Sequence, residues 1–268
     1  MHFGRVLIIA GSDSGGGAGI QADIKAVTCL GGYAATALTA LTAQNTLGVF
    51  GVEPVPPAFV RRQIEVVLGD IGADCLKTGM LVSAPIIEAV ADALAAAPSV
   101  PLVLDPVMVA KGGAALLDPA AVATLTARLI PRARLLTPNL PEAEALLGRA
   151  IPDATAMEAA ARDLLRLGAR AVLLKGGHLP GDDLVDLLVD ADGVRRFADR
   201  RLPTRATHGT GCTLASAIAA GLAQGLDLDA AVARARAYLR RAIAAAPGFG
   251  AGHGPLGHGH TVTPFGGD

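Results

Sequence analysis

Short apolar runs alternate along this chain with longer stretches in which apolar residues recur every three or four positions, and the alternation persists almost from end to end. The runs "VLIIA" (6–10), "ATALTALTAQ" (35–44), "DCLKTG" (74–79), "LVLD" (102–105), "RLLTP" (134–138) and "AVLLK" (171–175) read as strands. Helix-period segments lie near 19–31, 57–69, 84–96, 119–130, 141–147 and 155–168. In the last of these Ala159, Leu164 and Leu167 share a face, and Gly168 is placed to end it. Strand, helix, strand, repeated, predicts an α/β fold of three layers, a mainly parallel sheet covered by helices on both faces. The rhythm changes once. "DLVDLLVDADGVRRFADRRL" (183–202) reads as two strands around Asp192-Gly193, a hairpin that adds antiparallel strands to one edge. Two final helices are predicted near 211–224 and 228–245, followed by a glycine-rich tail from Pro247. With no linker and no internal repeat, the pattern predicts a single domain over residues 1–268.

Composition narrows what such a domain does. Of 268 residues 51% are hydrophobic, enough for a large core. A formal net charge of -1, no long run of like charges and only 3% aromatic residues argue against nucleic acid and anionic membranes as partners. Cys29, Cys75 and Cys212 are widely spaced without a CxxC pair, which fits a reducing cytoplasm better than a disulfide framework or a zinc site. The N-terminal apolar run is too short for a secretion signal, and no apolar stretch approaches the length of a membrane span, so neither is expected.

In a parallel sheet, ligands collect beyond the carboxyl ends of the strands. The polar residues there are "GSDSGGGAG" after the first strand, Gln44 and Asn45 after the second, then Lys77, Asp105, Asn139 and Lys175. Cations, carboxylates, amides and glycines together suit phosphate and metal chemistry. The spacing Gly17-x-Gly19-x-x-Ala22 matches a loose dinucleotide fingerprint, but it does not follow its strand directly, and no acid lies between Asp23 and Glu53 to hold a ribose. "GADCLKTG" (72–79) has leucine where a P-loop needs the glycine before lysine. A glycine loop that brings backbone close to a small ligand, flanked by Asp13 and Asp23, is the better reading.

Lysine occurs only at positions 25, 77, 111 and 175 among many arginines, and Lys175, closing a strand before "GGH", is the strongest candidate for following a moving phosphoryl group. Lys25, on a predicted helix, is read as solvated. In "TPNLPEAE" (137–144), Asn139 and Glu142 stand three apart where a strand hands over to a helix. They suit Mg²⁺, with Asp105 from another strand sharing the ion; a capping box is the competing structural reading. In "ATHGTGCTL", Gly209 and Gly211 allow a tight turn whose backbone amides converge on one anion. The helix start is expected to lower the Cys212 thiol pKa and fit it to take a proton from a substrate hydroxyl; a small buried cysteine is the alternative. The tail histidines His253, His258 and His260 are read as part of a loop closing over the fold.

Taken in order, "GSDSGGGAGIQAD", "ALTAQNT", "KTGML", "LVLDPVM", "TPNLPEAE", "LLKGGH", "THGTGCTL" and "GHGP" resemble the successive motifs of the bacterial hydroxymethylpyrimidine/phosphomethylpyrimidine kinases of thiamine biosynthesis, in the ribokinase-like superfamily. The resemblance runs from about residue 5 to 260 and implies a homodimeric enzyme using ATP and Mg²⁺. Its reaction would be phosphorylation of the 5-hydroxymethyl group of a 4-amino-2-methylpyrimidine, then a second transfer onto that phosphate. It implies a pyrimidine site at Gly11, Ala18, Asp23, Gln44, Met80 and Val107. It assigns the nucleotide phosphates to Lys175, Thr207, Gly209, Thr210 and Gly211, the metal to Asp105, Asn139 and Glu142, and catalysis to Cys212, Lys175, Gly209 and Gly211. Two departures stand out: Ser14-Gly15-Gly16 lacks a proline often found there, and Gly257 stands where asparagine is common. A pyridoxal kinase of the same superfamily and a nucleotide-binding α/β protein without catalysis are the competing expectations.

Overall fold

The computed structural model describes residues 3–110, 112–263 and 266, so Lys111 falls outside the described residues. Its centre is a nine-stranded sheet in the order β3-β2-β1-β4-β5-β6-β7-β8-β9. Strands β1 (Arg5–Asp13), β2 (Tyr33–Gln44), β4 (Cys75–Thr78), β5 (Leu102–Leu104), β6 (Leu135–Leu136) and β7 (Ala171–Lys175) run parallel. The hairpin of β8 (Asp183–Asp190) and β9 (Gly193–Arg200) joins β7 antiparallel, as its sequence predicts. A second antiparallel strand, β3 (Val49–Pro54), lies at the opposite edge beside β2 and is not foreseen from the sequence. Its six residues contain Gly51 and Pro54 and are almost all exposed, so no alternation marks them.

The apolar runs are explained by helices on both faces. Successive strand side chains point to opposite sides, and here both sides are dry. Leu7, Ile9, Leu76, Leu104, Leu136 and Val172 pack beneath α2 (Pro57–Asp70), α3 (Ala84–Leu94), α4 (Ala121–Arg128), α5 (Leu140–Leu147) and α6 (Ala154–Leu165). Val6, Ile8, Ala10, Val103, Leu135 and Leu173 pack beneath α1 (Gly19–Cys29), α7 (Thr210–Ala223) and α8 (Leu228–Ala244). Each fully buried aliphatic side chain contributes about 1.5–3 kcal/mol, so the one-residue alternation along β1 holds both layers in register. Gly168, at φ 110°, follows α6 as expected.

The tail after α8 returns to the sheet's carboxyl end. The His253 amide donates to the Thr46 carbonyl (2.9 Å), the Gly254 carbonyl accepts from the His208 amide (3.2 Å), and the Gly257 amide donates to Ala242 (2.8 Å). His258 is buried with its Nδ1 2.9 Å from the Tyr238 hydroxyl. The tail thus braces the loops around the strand ends.

Candidate active site

Strand β1 continues past its last apolar residue to Asp13, and that carboxylate gathers the glycine loop. Asp13 Oδ1 accepts from the Gly15 amide (2.8 Å), and Oδ2 accepts from Gly17 (3.0 Å) and Ala18 (2.7 Å). His208 Nε2 lies 2.8 Å from the same Oδ2. Burial pushes the Asp13 carboxyl up, but the His208 hydrogen bond and the Ala18 and Gly15 amides outweigh it and hold the group below its usual range. Lys25 is exposed, as expected, and from there donates to the Gly16 carbonyl at 2.7 Å, tying the loop to α1.

The second wall is the N-terminus of α7. Gly209 caps it at φ 79°, and a Cβ there would collide with the Gly17 carbonyl, so the two glycine loops touch backbone to backbone. The first helical bond is from Thr213 to the Gly209 carbonyl (2.9 Å), which leaves the amides of Thr210, Gly211 and Cys212 ahead of the helical ladder. A Cβ on Gly211 would lie 3.4 Å from Lys175 Nζ and 3.6 Å from Asp105 Oδ2, so the bare Cα leaves open the space in front of that pair. Lys175 Nζ donates to Asp105 Oδ1 at 3.0 Å, and Thr137 Oγ1 donates to the same oxygen at 3.0 Å. Burial lowers the Lys175 pKa, but Asp105 and Glu142 outweigh it and keep the ammonium charged.

Asn139 and Glu142 do form the capping box: Asn139 Oδ1 accepts from the Glu142 amide (2.9 Å), and Glu142 Oε2 accepts from the Asn139 amide (2.8 Å). Capping does not remove Glu142 from the chemistry. Both residues face the cleft beside Asp105 and Lys175, and burial pushes the Glu142 carboxyl up to about 7, with Lys175 opposing. No group of three His, Cys, Asp or Glu side chains among the described residues is arranged to cage an ion. Two carboxylates and an amide beside a phosphate cradle fit Mg²⁺ nonetheless, since that ion keeps most of its waters and leans on substrate phosphates.

Two expectations are corrected. Asp23 does not line the cleft; it is fully buried behind it, 2.7 Å from Lys77 Nζ, and accepts from Ser216 Oγ at 2.7 Å. Its place in α1 turns it toward α7 and β4 rather than toward ligand. The Cys212 thiol is not acidified by its helix end: burial pushes it up to about 12, against the pull of Lys77 and a hydrogen bond from the Gly19 amide.

These elements enclose a cleft of about 710 Å³. Gly11, Ala18, Gln44, Met80 and Val107 line it near β1, β2 and β5, while Asp105, Asn139, Glu142, Lys175 and Thr207 to Cys212 also line it. Asn45 stays in its turn, accepting from the Leu47 amide at 2.8 Å. Beyond Lys175 the cleft extends to Asp186, Asp199, Arg201, Arg236 and Ile243, none of them singled out from the sequence. Asp186 holds the Gly176 amide (3.0 Å) and pairs with Arg236, which also binds Asp199 (2.7 Å). No short motif carries this network; pairing β8 with β9 against α8 creates it. His208 lies inside a recognised motif, but its partner Asp13 is 195 residues away.

Comparison with known proteins agrees with this geometry. The family model described as phosphomethylpyrimidine kinase matches residues 13–257. The chain is 57% identical over 255 residues to the thiamine biosynthesis bifunctional protein ThiED of Geobacter sulfurreducens; the match covers 95% of this chain but only 52% of that longer protein. It is 50% identical over 257 residues to the hydroxymethylpyrimidine/phosphomethylpyrimidine kinase of Rhizobium meliloti, covering 95% and 96% of the two chains. Among solved structures, the ADP complex of Bacillus subtilis pyridoxal kinase superposes with a TM-score of 0.88 at 34% identity, covering 96% of this chain and 98% of that one.

Proposed function

Because the chain belongs to the phosphomethylpyrimidine kinase family, with a ribokinase-like fold, we propose that it phosphorylates 4-amino-5-hydroxymethyl-2-methylpyrimidine with ATP and then phosphorylates the monophosphate to the diphosphate, in thiamine biosynthesis. The observation that carries this reading is the convergence of Lys175, the amides at the start of α7 and the Gln44 amide on one cleft. Lys175 and those amides bind the phosphates and meet charge on the moving phosphoryl group. Gly11, Ala18, Met80 and Val107 give the ring a mostly apolar lining. Asp105, Asn139 and Glu142 are the residues that would hold Mg²⁺, which when bound supplies charge neutralisation at the phosphates. ATP consumption measured side by side with the aminopyrimidine, its monophosphate and pyridoxal tests the assignment. Faster turnover of pyridoxal would favour the pyridoxal kinase reading, and turnover of none of the three would refute both.

Gln44 supplies the first prediction. Its amide offers one acceptor and two donors to a ring edge bearing a nitrogen beside an amino group. Gln44→Leu should weaken kcat/KM for the aminopyrimidine by about 1–3 kcal/mol, the range for a buried polar edge that loses its partner. Unchanged kcat/KM in a folded variant would remove Gln44 from recognition.

The metal supplies the second. With no cage of three His, Cys, Asp or Glu side chains among the described residues, Mg²⁺ should bind only together with ATP. Calorimetric titration of Mg²⁺ into nucleotide-free protein should show no micromolar site; a stoichiometric one would overturn the metal assignment.

The same reading treats residues 1–268 as one kinase domain working as a cytoplasmic homodimer, with no nucleic-acid or membrane partner. Free Cys29, Cys75 and Cys212 fit a reducing compartment. No helix among the described residues is long and apolar enough to cross a membrane. Leu41, Leu47, Phe50 and Val52 are exposed at the β2–β3 edge, apolar surface that a second copy would cover, and light scattering tests that association.

A further inference from the structure

The contacts around His208 decide how the Gln44 amide must be oriented. An ionised Asp13 only accepts hydrogen bonds, and its Oδ2 already accepts from Gly17 and Ala18. His208 Nε2, 2.8 Å from that oxygen, therefore carries a proton and donates to it. Gln44 places its Nε2 3.3 Å from the same His208 nitrogen, donor facing donor. At its other end Gln44 Oε1 lies 3.2 Å from Thr42 Oγ1. The Thr42 hydroxyl has one proton, and the Ser12 carbonyl at 2.9 Å takes it, so this second contact sets acceptor against acceptor. A half-turn of the amide exchanges its oxygen and nitrogen: the NH₂ then donates to Thr42, and the oxygen takes the weaker arm of a three-centre bond from the one His208 Nε2 proton, whose main acceptor stays Asp13 Oδ2. The Gln44 oxygen then faces His208, and its NH₂ faces Thr42.

We propose that His208 is a positioning and specificity residue: anchored on Asp13, it fixes the Gln44 amide in this one orientation and so sets the order of donor and acceptor that the cleft presents to a ring. The remaining Gln44 lone pair and N–H then match a ring edge with an amino group next to a bare nitrogen. They mismatch the 4-oxo analogue, in which a carbonyl acceptor and a ring N–H stand in reversed order. His208 holds its place tightly, since a Cβ on Gly17 would collide with its ring and its own amide is tied to Gly254. Removing the imidazole frees the amide to turn, and both orders of donor and acceptor become readable.

This inference rests on the proposed aminopyrimidine kinase activity, and two measurements keep the two apart. In protein with ¹⁵N-labelled histidine, long-range proton–nitrogen correlation should find His208 Nε2 protonated. A neutral ring protonated only at Nδ1 would overturn the inference whatever the substrate proves to be. In kinetics, His208→Leu should raise KM for the aminopyrimidine about tenfold with a smaller change in kcat, and narrow the preference over the 4-oxo analogue by a similar factor. His208→Gln, whose amide can still donate to Asp13, should restore much of the preference. Equal loss of kcat on both rings, without rescue by glutamine, would show a role in loop structure alone and refute the specificity role. Absence of aminopyrimidine turnover in the unaltered enzyme would refute the proposed function, with the histidine spectrum still deciding the amide orientation.

Discussion

Lys77→Met should destabilise the fold by about 3–5 kcal/mol, the cost of leaving one member of a buried ion pair without its partner. Lys77 is the largest fully buried side chain among the described residues. Its ammonium lies 2.7 and 2.8 Å from the two oxygens of Asp23, and both side chains have 0% exposure. Methionine fills the space of the stem but returns no charge. Asp23 then keeps only Ser216 as a side-chain donor. The sign of the pH dependence follows. Burial already pushes the Asp23 carboxyl up, and removing Lys77 takes away its main opposing influence. A carboxyl whose folded pKa is raised loses stability as pH rises from its unfolded value through its folded one. The deficit in Lys77→Met should therefore be smaller near pH 5 than near pH 8. Denaturation midpoints at the two pH values measure it, and the double variant Lys77→Met with Asp23→Leu should recover most of the loss, because the unpaired charge is gone. A single variant as stable as the parent at pH 8 would mean that the pair contributes nothing net.

Legibility in the sequence followed the range over which each feature is determined. The parallel core announced itself because its central strands are buried on both faces, a property written into consecutive residues such as Val6 to Ala10. Strand β3 carries no such imprint, being held by pairing with β2 alone. At the site, residues on one strand end or one helix start were found: Gln44, Asp105, Lys175, and Gly209 to Cys212 all line the cleft. Asp23 stands on the same helix as the glycine loop's end, yet α1 turns it inward, and only the packing of α1 on α7 reveals that. The Asp13–His208 and Asp186–Arg236 pairs join distant segments, so they exist only once the chain is folded. The thiol pKa went astray for a related reason. A helix end is visible in sequence, whereas the burial that outweighs it is not.

Cys212→Ala should slow transfer to the hydroxymethyl group by roughly 10²–10⁴-fold, the range for loss of a general base, while slowing the second transfer less. The difference arises from the acceptors. The alcohol must lose a proton, whereas the monophosphate is largely ionised at neutral pH, with a second pKa of about 6. The half-buried thiol, pushed up to about 12, adds a condition that an exposed helix-end cysteine would not. At pH 7 only about one thiol in 10⁵ is ionised at such a pKa. If the thiolate takes the proton, kcat/KM for the alcohol should climb about tenfold per pH unit from neutrality upward for as long as the fold survives, since the active form is the deprotonated one. Cys212→Ala should lose that slope together with the rate, and the monophosphate reaction should show neither effect. Lys77, whose charge favours the thiolate, acts on this cysteine against its own partner Asp23 and against Asp105, so the ion pair does not offset the burial that raises the thiol. Separate rates for the two acceptors across pH 6.5–9 decide the matter. Equal losses in both transfers with an unchanged slope would make Cys212 a positioning residue beside the phosphate cradle, and no loss in either would leave it a packing residue at the start of α7.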